Sequence, residues 1–263
     1  MRIAVISDIH GDVKALETAL EDIRCHSVDK VYCLGDLVGY RSEPNQVIEL
    51  IGSAEVASVM GDFDEIVGFD LPVRNHFHRD RERERRGQQA LRRARASTTE
   101  AGKRFLRSLP IQIRERLAGI EALFVHGSPR QIDEYLYTDQ PQATFQEIAR
   151  LAGSDVIFFG HSGEPIQKKI GGTWFVNPGS VCGAQPDRQH ISYCLADMGE
   201  ELRFQFLKVE VKAEQVSSDD KTILRAEETA DSRPKESETR VQLPALGEHP
   251  SLIADQNEEV GAE

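Results

Sequence analysis

Ile3-Ala4-Val5-Ile6-Ser7-Asp8-Ile9-His10-Gly11 decides the fold. A short apolar run stops at a carboxylate, an imidazole and a glycine, the pattern of a buried strand whose exit turn carries polar side chains. Asp12 can cap the helix that follows, because Val13, Leu16, Ala19, Leu20 and Ile23 recur at helical spacing. Lys30 to Leu34 repeats the strand pattern and ends on Gly35-Asp36. A second helix begins near Pro44 with Val47, Ile48 and Ile51, and Ala54 to Met60 reads as a third strand closed by Gly61-Asp62. Strand and helix alternate, which predicts a parallel βαβ arrangement of the α/β class.

Working outward, Ile120 to Val125 and Asp155 to Phe159 read as two more buried strands, followed by His126-Gly127 and by Gly160-His161. His76 to Arg95 is crowded with arginine and interleaved with Asp80, Glu82 and Glu84, the composition of a surface helix with internal ion pairs. Ser97-Thr98-Thr99-Glu100 has capping-box spacing, so a helix should start there and stop before Pro110. His190 to Val211 alternates apolar and polar residues around Gly199, as a closing hairpin does. Beyond it the pattern collapses into Glu, Asp, Ser, Thr and Pro, and residues 212–263 read as an acidic, disordered tail attached to a domain of residues 1–211.

That tail carries 13 acidic against 6 basic side chains and so supplies −7 of the net charge of −12. The remainder is only mildly acidic, and composition gives no reason to expect binding to polymeric nucleic acid. Four cysteines, at 25, 33, 182 and 194, form no paired motif and fit a reducing compartment. The first apolar stretch meets Asp8 before it could form a signal-peptide core or a membrane span. Together these features predict a cytoplasmic protein without a membrane partner.

The polar residues gain meaning from where they fall. Asp8 and His10 follow the first strand, Asp36 the second, Asp62 the third, His126 the fourth and His161 the fifth. Strand ends that share one edge of a sheet can bring such groups into a single pocket. Carboxylates together with imidazoles suit one or two divalent ions such as manganese, iron or zinc. A lone Asp after a strand is ordinarily a helix cap, and a lone His a satisfied core residue; five successive strand ends with this mix of ligand types are not. The Asn177-Pro178-Gly179-Ser180 turn could add backbone N–H donors to a phosphate, which makes Asn177, Gly179 and Ser180 candidate substrate-binding residues.

Asp8-Ile9-His10, Gly35-Asp36, Gly61-Asp62-Phe63-Asp64, Val125-His126-Gly127 and Gly160-His161-Ser162 resemble the five ordered motifs of the calcineurin-like metallophosphoesterases, in their small bacterial phosphodiesterase branch. The resemblance runs from residue 1 to about 211 and includes Leu34 to Tyr40, His126 to Arg130, Glu134 to Tyr137 and Asn177 to Val181. It implies a four-layer fold, a two-sheet sandwich flanked by helices, with a two-metal centre at one edge. Position by position, it makes Asp8 and His10 ligands of a first metal, Asp36 the bridge, and Asp62, His126 and His161 ligands of the second. Catalysis would then depend above all on Asp36 and His126. The implied activity is hydrolysis of a phosphodiester or phosphomonoester, a nucleotide or other small phosphate compound, by a metal-activated hydroxide.

Three positions depart from that pattern. Asp62 replaces the usual Asn, Phe63 stands where the family often has His or, in this branch, an aromatic residue, and Gly163 stands where the family has a second His. Phe63 cannot donate a proton. Gly163 cannot coordinate, which leaves Glu164, Cys182 and His190 as sequence neighbours that could fill the gap. These departures, with the acidic tail as a contact for a protein partner, motivate an alternative: a catalytically impaired member of the fold acting as a ligand- or protein-binding module. A nuclease of polymeric DNA or RNA would rest mainly on the arginines from Arg79 to Arg95, where the interleaved acids favour a solvated helix face instead.

Overall fold

A computed structural model describes residues 1–73, 81–182 and 190–211. The opening segment folds as its periodicity dictates, with β1 (Arg2–Ile6), α1 (Val13–Arg24), β2 (Lys30–Cys33), α2 (Pro44–Ser53) and β3 (Ala57–Ser58) in succession. Asp12 caps α1, its Oδ1 accepting from the Ala15 N–H at 3.0 Å. Then come α3 (Asp62–Gly68), α4 (Arg81–Ser97), α5 (Glu100–Ser108), β4 (Gln112–Leu117), β5 (Ile120–Val125), α6 (Gln142–Ala152) and β6 (Val156–Phe158). The chain continues through β7 (Ile166–Ile170), β8 (Thr173–Asn177), β9 (His190–Asp197) and β10 (Arg203–Glu210).

The strands form two mixed sheets, in the orders β10-β9-β1-β2-β3 and β4-β5-β6-β8-β7. β1, β2 and β3 run parallel, as do β5, β6 and β8, while the β9–β10 hairpin and the outer strands β4 and β7 pair antiparallel. Alternation along β1 explains the layering. Ala4 and Ile6 face a core shared with Leu16 and Leu20 of α1, Val47 of α2, Leu91 of α4 and Leu106 of α5. Ile3 and Val5 face a second core, between the sheets, with Tyr32, Leu34, Phe124, Val156 and Phe158. A third core packs Phe145 and Ile148 of α6 onto Leu123, Ile157 and Phe175 of the other sheet. Each such fully buried side chain contributes about 1.5–3 kcal/mol through the area it removes from water. Two sheets between helical layers are the expected four-layer sandwich.

Several local expectations need correction. The third strand shrinks from Ala54–Met60 to Ala57–Ser58, because Ala54 and Val56 are still hydrogen-bonded to the last turn of α2 through the Leu50 and Ile51 carbonyls. The arginine-rich helix begins at Arg81 among the described residues and runs on to Ser97; the start expected at His76 lies outside them, as does the tail from residue 212. Ser97 therefore ends α4 rather than capping α5, and Thr99 is the cap, accepting from the Gly102 N–H at 3.1 Å. The elements α3, α6, β4 and β7 were not anticipated. α6 carried a readable signal, with Phe145, Ile148 and Ala152 on one face and Gly153 in left-handed conformation at its end. No helix among the described residues is long and apolar enough to cross a membrane.

Candidate metal centre

The strand ends do meet, but across two sheets rather than along one edge: Asp8, His10, Asp36 and Asp62 come from the β1–β3 side, His126 and His161 from β5 and β6. Hydrogen bonding continues past β1 and β2, so that their exit loops zip together. Asp8 N–H donates to the Gly35 carbonyl at 3.1 Å, and the Ile9 and His10 N–H groups to that of Asp36 at 3.0 and 2.8 Å. Ser180 Oγ and the Cys182 N–H both donate to the Asp8 carbonyl, at 3.0 and 2.9 Å. These bonds hold a strained backbone. Asp8, His10, Asp36 and His161 have φ of 55°, 51°, 55° and 64°, a left-handed conformation that disfavours residues bearing a Cβ by roughly 1–2 kcal/mol each. Four of the eight non-glycine residues with positive φ among the described residues are candidate ligands, and such backbone persists only where the surrounding structure over-determines it.

Two overlapping groups could hold a metal ion: Asp36, Asp62, His126 and His161, and Asp8, His10 and Asp36. All six side chains are buried. In the first group His126 Nε2 lies 3.1 Å from Asp62 Oδ1, 3.2 Å from His161 Nδ1 and 3.5 Å from Asp36 Oδ2. His161 Nδ1 is 3.1 Å from Asp62 Oδ1. Ligands at about 2.1 Å from a tetrahedral ion stand about 3.4 Å apart, so the spacing fits a small divalent cation. The second group is wider, with His10 Nε2 at 3.7 Å from Asp36 Oδ2 and 3.9 Å from Asp8 Oδ1. Asp8 Oδ2 and His161 Nε2 are buried without a hydrogen-bond partner among the described residues, and a buried polar atom left so calls for an ion, a water or a ligand.

The imidazoles are aimed from behind. His126 Nδ1 donates to the Leu34 carbonyl at 2.7 Å and His10 Nδ1 to that of Val38 at 3.3 Å, which turns each Nε2 toward the carboxylates. His161 is braced by a ring instead, stacked on Tyr135 at 3.8 Å between centroids. Burial raises the Asp36 carboxyl well above its ordinary range, with Asp62 adding to the effect. Burial acts the same way on Asp62, but His161 and His126 overcome it and hold that carboxyl low. Burial would depress His126 too, yet contact with Asp36 and Asp62 raises it well above its usual value. His10, dominated by burial, falls to about 4. Asp36, Asp62 and His126 share one cause: crowded carboxylates shielded from water call for a positive charge, whether proton or metal.

The remaining expected residues fall into two classes. Asn177 is fully buried, donating through Nδ2 to the Gly160 carbonyl at 2.8 Å and to Ser162 Oγ at 3.1 Å while its Oδ1 accepts from the Gly179 N–H at 2.9 Å. The Ser180 N–H donates to Ser192 Oγ at 3.0 Å. The turn's donors are thus engaged with protein, and in this structure Asn177, Gly179 and Ser180 support Asp8 and the loop of His161. Glu164, Cys182 and His190 belong to neither metal group, and Gly163 sits at φ 68°. Phe63 is buried against His10, rings 5.0 Å apart, with Tyr40 at 4.7 Å on the same imidazole. The sequence reading missed the roles of Tyr40 and Tyr135, although both lie in stretches that carried the resemblance.

Known proteins agree with this architecture. The calcineurin-like phosphoesterase superfamily domain matches residues 1–201. The uncharacterized protein MJ0912 of Methanocaldococcus jannaschii is 31% identical over 227 residues, 79% of this chain and 87% of its own. Among solved structures, the hypothetical protein PH1004 of Pyrococcus horikoshii superposes with a TM-score of 0.69 at 24% identity, over 89% of this chain and 95% of that one. A metallophosphoesterase from Sphaerobacter thermophilus gives 0.62 at 23%, over 87% and 94%. These two likenesses establish the fold, and the matched domain with its relative establishes the lineage: the chain belongs to the calcineurin-like phosphoesterase superfamily.

Proposed function

We propose that this protein hydrolyses esters of phosphate, mono- or diesters of small molecules such as nucleotides, at a centre of one or two divalent metal ions. The observation that carries the reading is the sharing of Asp36 by two buried ligand groups. Asp36, Asp62, His126 and His161 would hold one ion, and Asp8, His10 and Asp36 a second. Such ions polarise phosphoryl oxygens and activate water near neutral pH, manganese, iron and zinc all being compatible with this donor set. The protein's own part is to fix the donors: the Leu34 and Val38 carbonyls orient two imidazoles, and Asn177 ties the loop of His161 to its strand. Phe63 supplies no proton, so the leaving group must be a good one or take its proton from water.

Protein stripped of metal and reloaded with manganese should hydrolyse bis-p-nitrophenyl phosphate or p-nitrophenyl phosphate. Asp36→Asn should lower that rate by at least about 100-fold, more than the loss of a supporting residue behind a metal ligand. Full turnover and full metal content in the variant would refute the assignment. One observation favours a second reading, that of a binding module: the group of Asp8, His10 and Asp36 offers three protein donors and Gly163 no fourth. Uptake of manganese with no turnover of either ester would move the proposal to that reading, with the acidic segment from residue 212 as its contact for a protein partner.

A further inference from the structure

Asp64 is fully buried, two residues beyond a candidate ligand, yet belongs to neither metal group. Three backbone N–H groups meet its carboxylate. Oδ1 accepts from Leu37 at 2.9 Å and Val38 at 3.2 Å, and Oδ2 from Gly61 at 3.0 Å. A carboxylate removed from water is costly unless such charge-assisted bonds surround it. The donors are not scattered: Leu37 follows Asp36 and Gly61 precedes Asp62. In return, Asp36 Oδ1 accepts from the Phe63 N–H at 3.0 Å, which leaves Asp36 Oδ2 facing His126 and His10.

We propose that Asp64 is a positioning residue, a clamp that sets the separation of the shared carboxylate Asp36 from Asp62 and thereby the metal affinity of the four-residue group. The proposal rests on the reading of that cluster as a metal centre, but its geometry can be tested without metal. Asp64→Asn keeps the shape and replaces one acceptor oxygen with a donor. The amide satisfies most N–H groups when its oxygen faces Leu37 and Val38, so its NH2 is forced against the Gly61 N–H. The break then falls beside Asp62.

Manganese titration by calorimetry should show the equivalent assigned to Asp36, Asp62, His126 and His161 weakened about 10- to 100-fold in Asp64→Asn, while the equivalent at Asp8, His10 and Asp36 changes less than about threefold. A merely structural role would weaken both alike, in step with a lower melting temperature, and would overturn the proposal, as would unchanged affinities. In metal-free protein, hydrogen exchange at the Gly61 amide should quicken at least about tenfold in the variant, against a smaller change at Leu37 and Val38. If Asp64→Asn fails to fold, the natural chain still decides: exchange of the Leu37, Val38 and Gly61 amides as fast as in an exposed loop would refute the clamp. A natural chain that takes up none of manganese, iron and zinc overturns the proposed function, and with it the clamp's effect on affinity, while the exchange measurements still decide whether the clamp exists.

Discussion

At the scale of the residue, the site depends on how closely two backbones approach. A Cβ added at Gly61 would lie 2.2 Å from both the amide nitrogen and Oδ1 of Asp36, and one added at Gly35 would lie 2.4 Å from the Gly61 nitrogen. Neither neighbour is the free end of a flexible side chain, so the loops would have to separate. Gly61→Ala should therefore cost about 3 kcal/mol of stability in a urea titration, at the upper end of ordinary overpacking, and should displace Asp36 from its partners. A loss below about 0.5 kcal/mol, the range of a neutral surface change, would contradict the close approach. The sequence reading placed a glycine beside nearly every candidate ligand; which of them separates two touching backbones became clear only when residues 35 and 61 were brought together.

At the scale of the element, the start of α5 shows how a correct local signal can name the wrong residue. Ser97 and Glu100 have capping-box spacing, but Thr98 still belongs to the preceding turn, its N–H and Oγ both donating to the Ala94 carbonyl at 2.9 and 2.7 Å. Asn45 of α2 settles the choice. Its Oδ1 accepts from the Thr99 N–H and Oγ at 2.9 and 3.0 Å, and its Nδ2 donates to the Ser97 carbonyl. Thr99→Ala should cost about 1 kcal/mol, whereas Ser97→Ala should stay within about 0.5 kcal/mol; thermal unfolding of the two variants in parallel would expose the reverse order. The cap is chosen by a side chain 54 residues away, a distance at which no periodicity or spacing rule operates.

At the scale of the whole molecule, the two sheets must hold register for the candidate ligands from both to stay close enough to share one ion. Tyr32 of β2 stacks on Phe124 of β5 with centroids 3.9 Å apart and planes within 8°. Its hydroxyl donates to Glu115 Oε2 of β4 at 2.7 Å, beside Lys30 Nζ at 2.7 Å from Oε1. Burial alone would raise the Glu115 carboxyl, but the bonds from Lys30 and Tyr32 outweigh it and hold the group below its ordinary value of 4.5. A carboxylate held low in the folded state adds stability above the unfolded value, and that gain fades as pH falls through the folded one. Glu115→Gln should thus melt below the natural protein at pH 7, and by less at a pH well below 4.5, where the natural carboxylate begins to take up its proton. An equal gap at both values would mean that charge plays no part in joining the sheets.

The sequence by itself determined the parallel β1-α1-β2-α2 start, the closing hairpin and the identity of six candidate ligands, because hydrophobic period and strand-end chemistry are local properties that need no partner. Asp64 and Tyr135 were in view as letters of motifs, but what each touches was not. Only the tertiary structure decided that the candidate ligands converge from two sheets, that four side-chain atoms lie close enough to share an ion, and that the Asn177 turn supports the site with its donors already engaged. Those outcomes depend on contacts between segments as much as 172 residues apart, such as Ser180 Oγ on the Asp8 carbonyl. Such separations are set by how the apolar faces of the elements pack on one another, a contact list that no local pattern contains.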